Sequence, residues 1–226
     1  MKKYIKLISL SFLSLVMLAF GKSQKKKRVV FFGDSITQAG ARPGGYIVKL
    51  DSLLQQKGIT NYDLVGAGVS GNKVYDLYLR LETDVLEKQP DIVVIYVGIN
   101  DVWHKATSGT GTDADKFEKF YKAIIKKLTD KNIKVIVCTP TTIGERYDNS
   151  NQQDGDLNRY SFLIKNIAKE TSLPVCDLRE IFLGYLKKYN TNNAEKGILT
   201  TDRVHLSSAG NLLVAQSICD VLQQLQ

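Results

Sequence analysis

The chain has 226 residues, 43% of them hydrophobic and 24% charged; this is enough apolar material for one packed domain and excludes a disordered or fibrous polypeptide. A formal charge of +8 suggests an anionic partner, yet Lys2, Lys3, Lys6, Lys22, Lys25, Lys26, Lys27 and Arg28 account for all of it, so residues 29–226 sum to zero. With no basic stripe on the body of the chain, nucleic-acid binding finds no support.

The first segment, MKKYIK followed by an apolar run from Leu7 to Phe20, ends in the small residues Ala19 and Gly21. It reads as a secretory signal over residues 1–23, leaving a single domain over 24–226 in a periplasmic or extracellular location. The run is shorter than the roughly 20 residues a membrane span needs, and Ser9, Ser11 and Ser14 interrupt it, so no stable span is expected after cleavage. No cysteine follows to carry a lipid anchor.

From there, short β-rich runs alternate with amphipathic stretches. RVVFF (28–32) is followed by Tyr46, Ile47, Leu50, Leu53 and Leu54 at helical spacing, ending at Gly58. YDLVG (62–66) precedes Val74, Leu77, Leu81 and Val85, and DIVVIYVG (91–98) precedes Phe117, Phe120, Tyr121, Ile124, Ile125 and Leu128. KVIVCTP (134–140) leads to Tyr160, Leu163, Ile164 and Ile167. PVCDL (174–178) leads to Ile181, Phe182, Tyr185 and Leu186, and Leu212, Leu213, Gln216, Cys219 and Leu222 close the chain.

The runs are nearly continuous in apolar residues, as in strands covered on both faces. Strict alternation predicts right-handed crossovers and a parallel five-stranded sheet between helices, with chemistry at the carboxyl ends of its strands. Residues 99–113 and 140–156 read as long polar loops suited to line a site. The three cysteines, Cys138, Cys176 and Cys219, cannot all pair. With no CxxC and no cysteine–histidine cluster they read as buried, and neither a metal site nor a cofactor is expected.

Gly33-Asp34-Ser35 follows the first run directly. A phosphate loop is the rival reading, but no GxGxxG or GxxxxGKS pattern is present and Asp34 repels phosphate. As a nucleophile, Ser35 needs a base, and the chain has two histidines, His104 and His205. Asp202, three residues before His205 in TTDRVHLSSAG, is spaced to reach its Nδ1 and leave Nε2 for the serine proton. Asn100, in VGIND, and Gly71, in GAGVSGN, follow the third and second strands; with the Ser35 N–H they offer donors for an oxyanion. Taken singly, Gly71 is also an ordinary turn glycine and Asn100 a helix cap. Trp103 and His104 either flank the pocket mouth, as substrate-binding residues, or lie on an exposed loop.

Together these elements resemble the SGNH hydrolase family, the GDSL-type esterases and lipases. The resemblance rests on Gly33-Asp34-Ser35, Gly71, Gly98-x-Asn100-Asp101 and Asp202-x-x-His205. It implies a three-layer α/β/α, flavodoxin-like fold, no metal, and ester hydrolysis through an acyl-serine intermediate. By matching position it implies Ser35 as nucleophile, His205 as base and Asp202 as its partner. The oxyanion hole is then made by the Ser35 and Gly71 N–H groups and the Asn100 amide. The polar runs WHKATSGTGTDAD and TTIGERYDNSNQQDGD lack an apolar flap for a long acyl chain. They favour a short acyl group, acetyl foremost, on a polar or carbohydrate alcohol. The alternatives are a lysophospholipase or thioesterase for longer chains and, in another class, a non-catalytic ligand-binding module on the same fold.

Overall fold

The computed structural model describes residues 25–225; the expected signal segment, residues 1–23, lies outside the described residues. The sheet contains β1 (Lys27–Gly33), β2 (Tyr62–Gly68), β3 (Ile92–Tyr96), β4 (Lys134–Cys138) and β5 (Val175–Cys176) in the order β2-β1-β3-β4-β5. All neighbours are parallel, with Gly33 in register with Gly68 on one side and Tyr96 on the other. The expected α/β/α sandwich is therefore observed. In β1 and β3 the residues Val29–Phe32 and Ile92–Tyr96 are buried on both faces, which is why their sequences do not alternate.

Between the strands run α1 (Ser35–Gly40), α2 (Tyr46–Gln56), α3 (Val74–Asp84), α4 (Ile99–Thr107), α5 (Ala114–Thr129) and α6 (Asp154–Glu170), and α7 (Leu178–Tyr189) and α8 (Ser208–Gln223) follow β5. A short 3₁₀ turn, Leu86–Lys88, continues beyond α3. α2 packs against α8, while α3, α5 and α6 pack in succession. Right-handed crossovers place these two groups on opposite faces. The direction of travel reverses between β1 and β3, and such a switch point leaves a crevice at the strands' carboxyl ends.

Two sequence expectations change. Residues 99–107 are helical, not loop: Ile99 and Val102 are buried one turn apart, and this anchor holds α4 despite the polar residues that follow. The fifth strand narrows to Val175–Cys176, because Asp177 already caps α7 by accepting from the Glu180 N–H. The three cysteines are buried, as expected, and all three are free thiols. Among the described residues, no helix is long and apolar enough to cross a membrane.

One close approach shapes the site end of the sheet. A Cβ at Gly68 would lie 2.1 Å from the Gln38 nitrogen and 2.5 Å from the Thr37 carbonyl carbon. Only glycine lets α1 lie directly on the end of β2.

Candidate active site

Asp34 follows β1 directly and caps α1, its Oδ1 accepting from the Ile36 N–H at 2.9 Å. The chain therefore turns immediately, and half-buried Ser35 opens the helix at the strand's carboxyl end. His205 arrives from the segment before α8. Its Nε2 lies 3.0 Å from Ser35 Oγ, and its Nδ1 lies 2.7 Å from Asp202 Oδ2.

The Asp202–His205 turn is itself tightly determined. Asp202 Oδ1 accepts from the Val204 and His205 N–H groups at 3.0 and 2.7 Å. To aim both amides at one oxygen, Arg203 takes φ of +89°, a conformation that costs a non-glycine residue on the order of 1 kcal/mol. Burial opposes charge on Asp202, but the bonds from His205 and Val204 outweigh it and hold the carboxyl below its ordinary range.

The residues expected to supply the oxyanion donors lie on the Gly71 loop and at the start of α4. Gly71 sits at φ +77°, a left-handed turn that a side chain disfavours. Asn100, buried in the first turn of α4, donates from Nδ2 to the Asn72 carbonyl at 3.0 Å. Because a carbonyl only accepts, this bond fixes which end of the amide faces the Gly71 loop and leaves the second Nδ2 hydrogen free of that bond. His104 borders the same loop: its Cε1 lies 3.9 Å from where a Gly71 Cβ would be. Its ring is 5.7 Å from that of Trp103. Burial and the nearby Lys73 charge hold the His104 imidazole below its ordinary value. Of the two histidines, His205 meets Ser35 and His104 meets the glycine loop.

This constellation has relatives. The model of the GDSL-like lipase/acylhydrolase family matches residues 31–213. The chain belongs to this family. It is 33% identical over 213 residues to an acetylxylan esterase of Geobacillus stearothermophilus, covering 84% of this chain and 91% of that protein. The crystal structure of the acetyl xylan esterase AlAXEase superposes with a TM-score of 0.85 at 58% identity, over 86% of this chain and 99% of that one. Crystal structures described as catalytic mutants of the Geobacillus esterase Axe2, at a serine, an aspartate and a histidine, align at 29% identity. Their TM-scores are 0.77 to 0.78, covering 89% of this chain and 96% of theirs. The protein is a carboxylic ester hydrolase.

The aspartate of the asparagine block, Asp101, has a structural task in this esterase. Asp101 is fully buried, and both its oxygens accept from the Val74 N–H, at 3.1 and 3.3 Å. This ties the start of α4 to the start of α3 and so holds Asn100 against the glycine loop. Burial pushes the carboxyls of both Asp34 and Asp101 up to about 7. Between about pH 4 and 7 the folded esterase thus keeps protons that the unfolded chain has lost. Their contribution to stability is complete below about pH 4 and disappears as pH rises through about 7, with a slope of up to about 1.4 kcal/mol per pH unit for each carboxyl. Urea unfolding followed from pH 4.5 to 7.5 is expected to show stability falling with pH. Asp101→Asn, which retains an acceptor for Val74, should flatten that slope, and an unchanged slope would contradict the assignment.

Glu145 was not legible in the sequence. It lies fully buried beyond β4, where Oε1 accepts from the Leu199 N–H at 2.8 Å and the Thr200 hydroxyl at 2.7 Å, and also from the Thr200 N–H. Oε2 accepts from the Ile198 N–H at 2.9 Å. The adjacent Gly144 N–H donates to the Arg203 carbonyl at 2.8 Å. One carboxyl thus holds the stretch that delivers Asp202 and His205. In TTIGERYDNSNQQDGD it reads as one more solvated charge, and no local signal marks it.

Proposed function

We propose that this esterase removes short acyl groups, acetyl foremost, from a carbohydrate or similarly polar alcohol through an acyl-Ser35 intermediate. The observation that carries the reading is the unbroken chain from Ser35 Oγ to His205 Nε2 at 3.0 Å and from His205 Nδ1 to Asp202 at 2.7 Å. His205 takes the Ser35 proton as Oγ attacks the ester carbonyl. The Ser35 and Gly71 N–H groups and the Asn100 amide receive the oxyanion. The imidazolium then protonates the leaving alcohol, and a water deprotonated by the same His205 releases the acid and restores Ser35. In this reading Trp103 and His104 form the substrate-binding rim beside Gly71.

Two observations support the acetyl and carbohydrate assignment. The relatives named above are acetylxylan esterases, and residues 103–115 after β3 and 141–156 after β4 are mostly polar, so they provide little surface for a long acyl chain. Turnover of p-nitrophenyl esters from acetyl to octanoyl, together with acetate release from acetylated xylo-oligosaccharides, tests it. Acetyl is expected to be the best acyl group, with a steady decline toward octanoyl. A marked preference for octanoyl would replace this reading with a lysophospholipase or thioesterase.

A further inference from the structure

Arg80 projects from α3 with its side chain only 15% exposed, and nearly all of its donors are used. Nη2 donates to the Gly33 carbonyl at 2.6 Å and Nη1 to the Ala67 carbonyl at 3.0 Å. Nε donates to Asn72 Oδ1 at 2.6 Å, and Nη1 also meets Asp84 at 2.8 Å. Its Cζ lies 4.6 Å from the centre of the Phe32 ring. Burial opposes charge on Asp84, but the bonds from Arg80 prevail and hold its carboxyl below the usual range.

The acceptors matter more than their number. Gly33 lies two residues before Ser35, and Ala67 is next to last in the strand that leads into the Gly71 loop. Asn72 follows Gly71, and its carbonyl is the one that accepts from Asn100. One guanidinium is thus bonded within one to four residues of the two backbone donors and to the very residue that holds the third. A planar fork spans three divergent acceptors at once, whereas an ammonium is a point donor.

We propose that Arg80 is a positioning residue that sets the relative placement of the three oxyanion donors; this rests on the acyl-serine reading above. It touches no reacting atom. A displacement of about 1 Å at a catalytic group can cost about 10²-fold in rate, so the effect of losing Arg80 falls on turnover rather than on substrate affinity.

The test is a double-mutant cycle on an acetyl ester, measured well below each variant's unfolding midpoint. Asn100→Ala alone is expected to lower kcat by roughly 10²- to 10³-fold. Arg80→Met is expected to lower kcat by roughly 10- to 100-fold with KM changed less than about threefold. In the Asn100→Ala background the same change should cost much less, because a misplaced donor is already absent. Arg80→Lys, which keeps the charge opposite Asp84, is expected to lose at least about tenfold in kcat and serves if Arg80→Met does not fold. Folded Arg80 variants with wild-type kcat, or losses that simply multiply with that of Asn100→Ala, overturn the positioning role. Labelling of the wild type with a fluorophosphonate separates the two levels. An unlabelled Ser35 overturns the acyl-serine reading itself, whereas a labelled wild type beside unaffected Arg80 variants overturns only the role of Arg80.

Discussion

Ser35→Ala is expected to lower kcat on an acetyl ester by roughly 10⁴- to 10⁶-fold while leaving the thermal midpoint within a few degrees of the wild type. The size follows from what is removed. In the proposed mechanism the hydroxyl oxygen forms the acyl bond, and the His205 Nε2 contact at 3.0 Å has no function without it. What remains is the donor loops and substrate binding, which alone sustain only a small fraction of such catalysis. The fold is spared because Asp34, not Ser35, caps α1, and alanine is a good helix former. Initial rates and fluorophosphonate labelling of the two proteins make the comparison. A variant within tenfold of wild type would remove Ser35 from the mechanism.

Asp202→Asn comes next, with a loss of roughly 10³- to 10⁴-fold in kcat. Asparagine keeps an oxygen for the Val204 and His205 amides, which bond to Oδ1 at 3.0 and 2.7 Å, so the turn should survive. The change falls on the other oxygen. An amide N–H facing His205 Nδ1 favours the tautomer whose proton sits on Nε2, and that nitrogen can then no longer accept from serine. The Asp202 side chain is 51% exposed, so water replaces part of what is lost, and this favours the lower end of the range. Pre-steady-state acylation rates check the step directly, and an unchanged rate would show that His205 is oriented by its backbone alone.

Much of this arrangement was legible before any coordinates, and for a physical reason. Val29–Phe32 and Ile92–Tyr96 are buried on both faces, so their sequences carry the parallel sheet openly. The site residues stand where strands end, at Ser35, Gly71 and Asn100, and ahead of α8 at His205. α4 was hidden because its helix depends on buried Ile99 and Val102 more than on a full amphipathic stripe. Arg80 and Glu145 were hidden for a different reason. Their partners lie up to 47 and 55 positions away, and long-range hydrogen bonds leave no trace in local spacing. A sequence shows which groups do chemistry more readily than which groups hold them still.

The contact between Ser35 and His205 joins positions 170 residues apart, and the helix that follows His205 packs against α2 near the start of the chain. At the roughly 5–20 residues per second of synthesis, about ten to thirty seconds separate the making of Ser35 from the making of His205. On the proposed mechanism every copy is therefore catalytically silent while it is being made. On the same mechanism, removal of the carboxyl-terminal segment, by a premature stop or a protease cut between α7 and α8, would leave the sequence of all five strands intact and no working esterase.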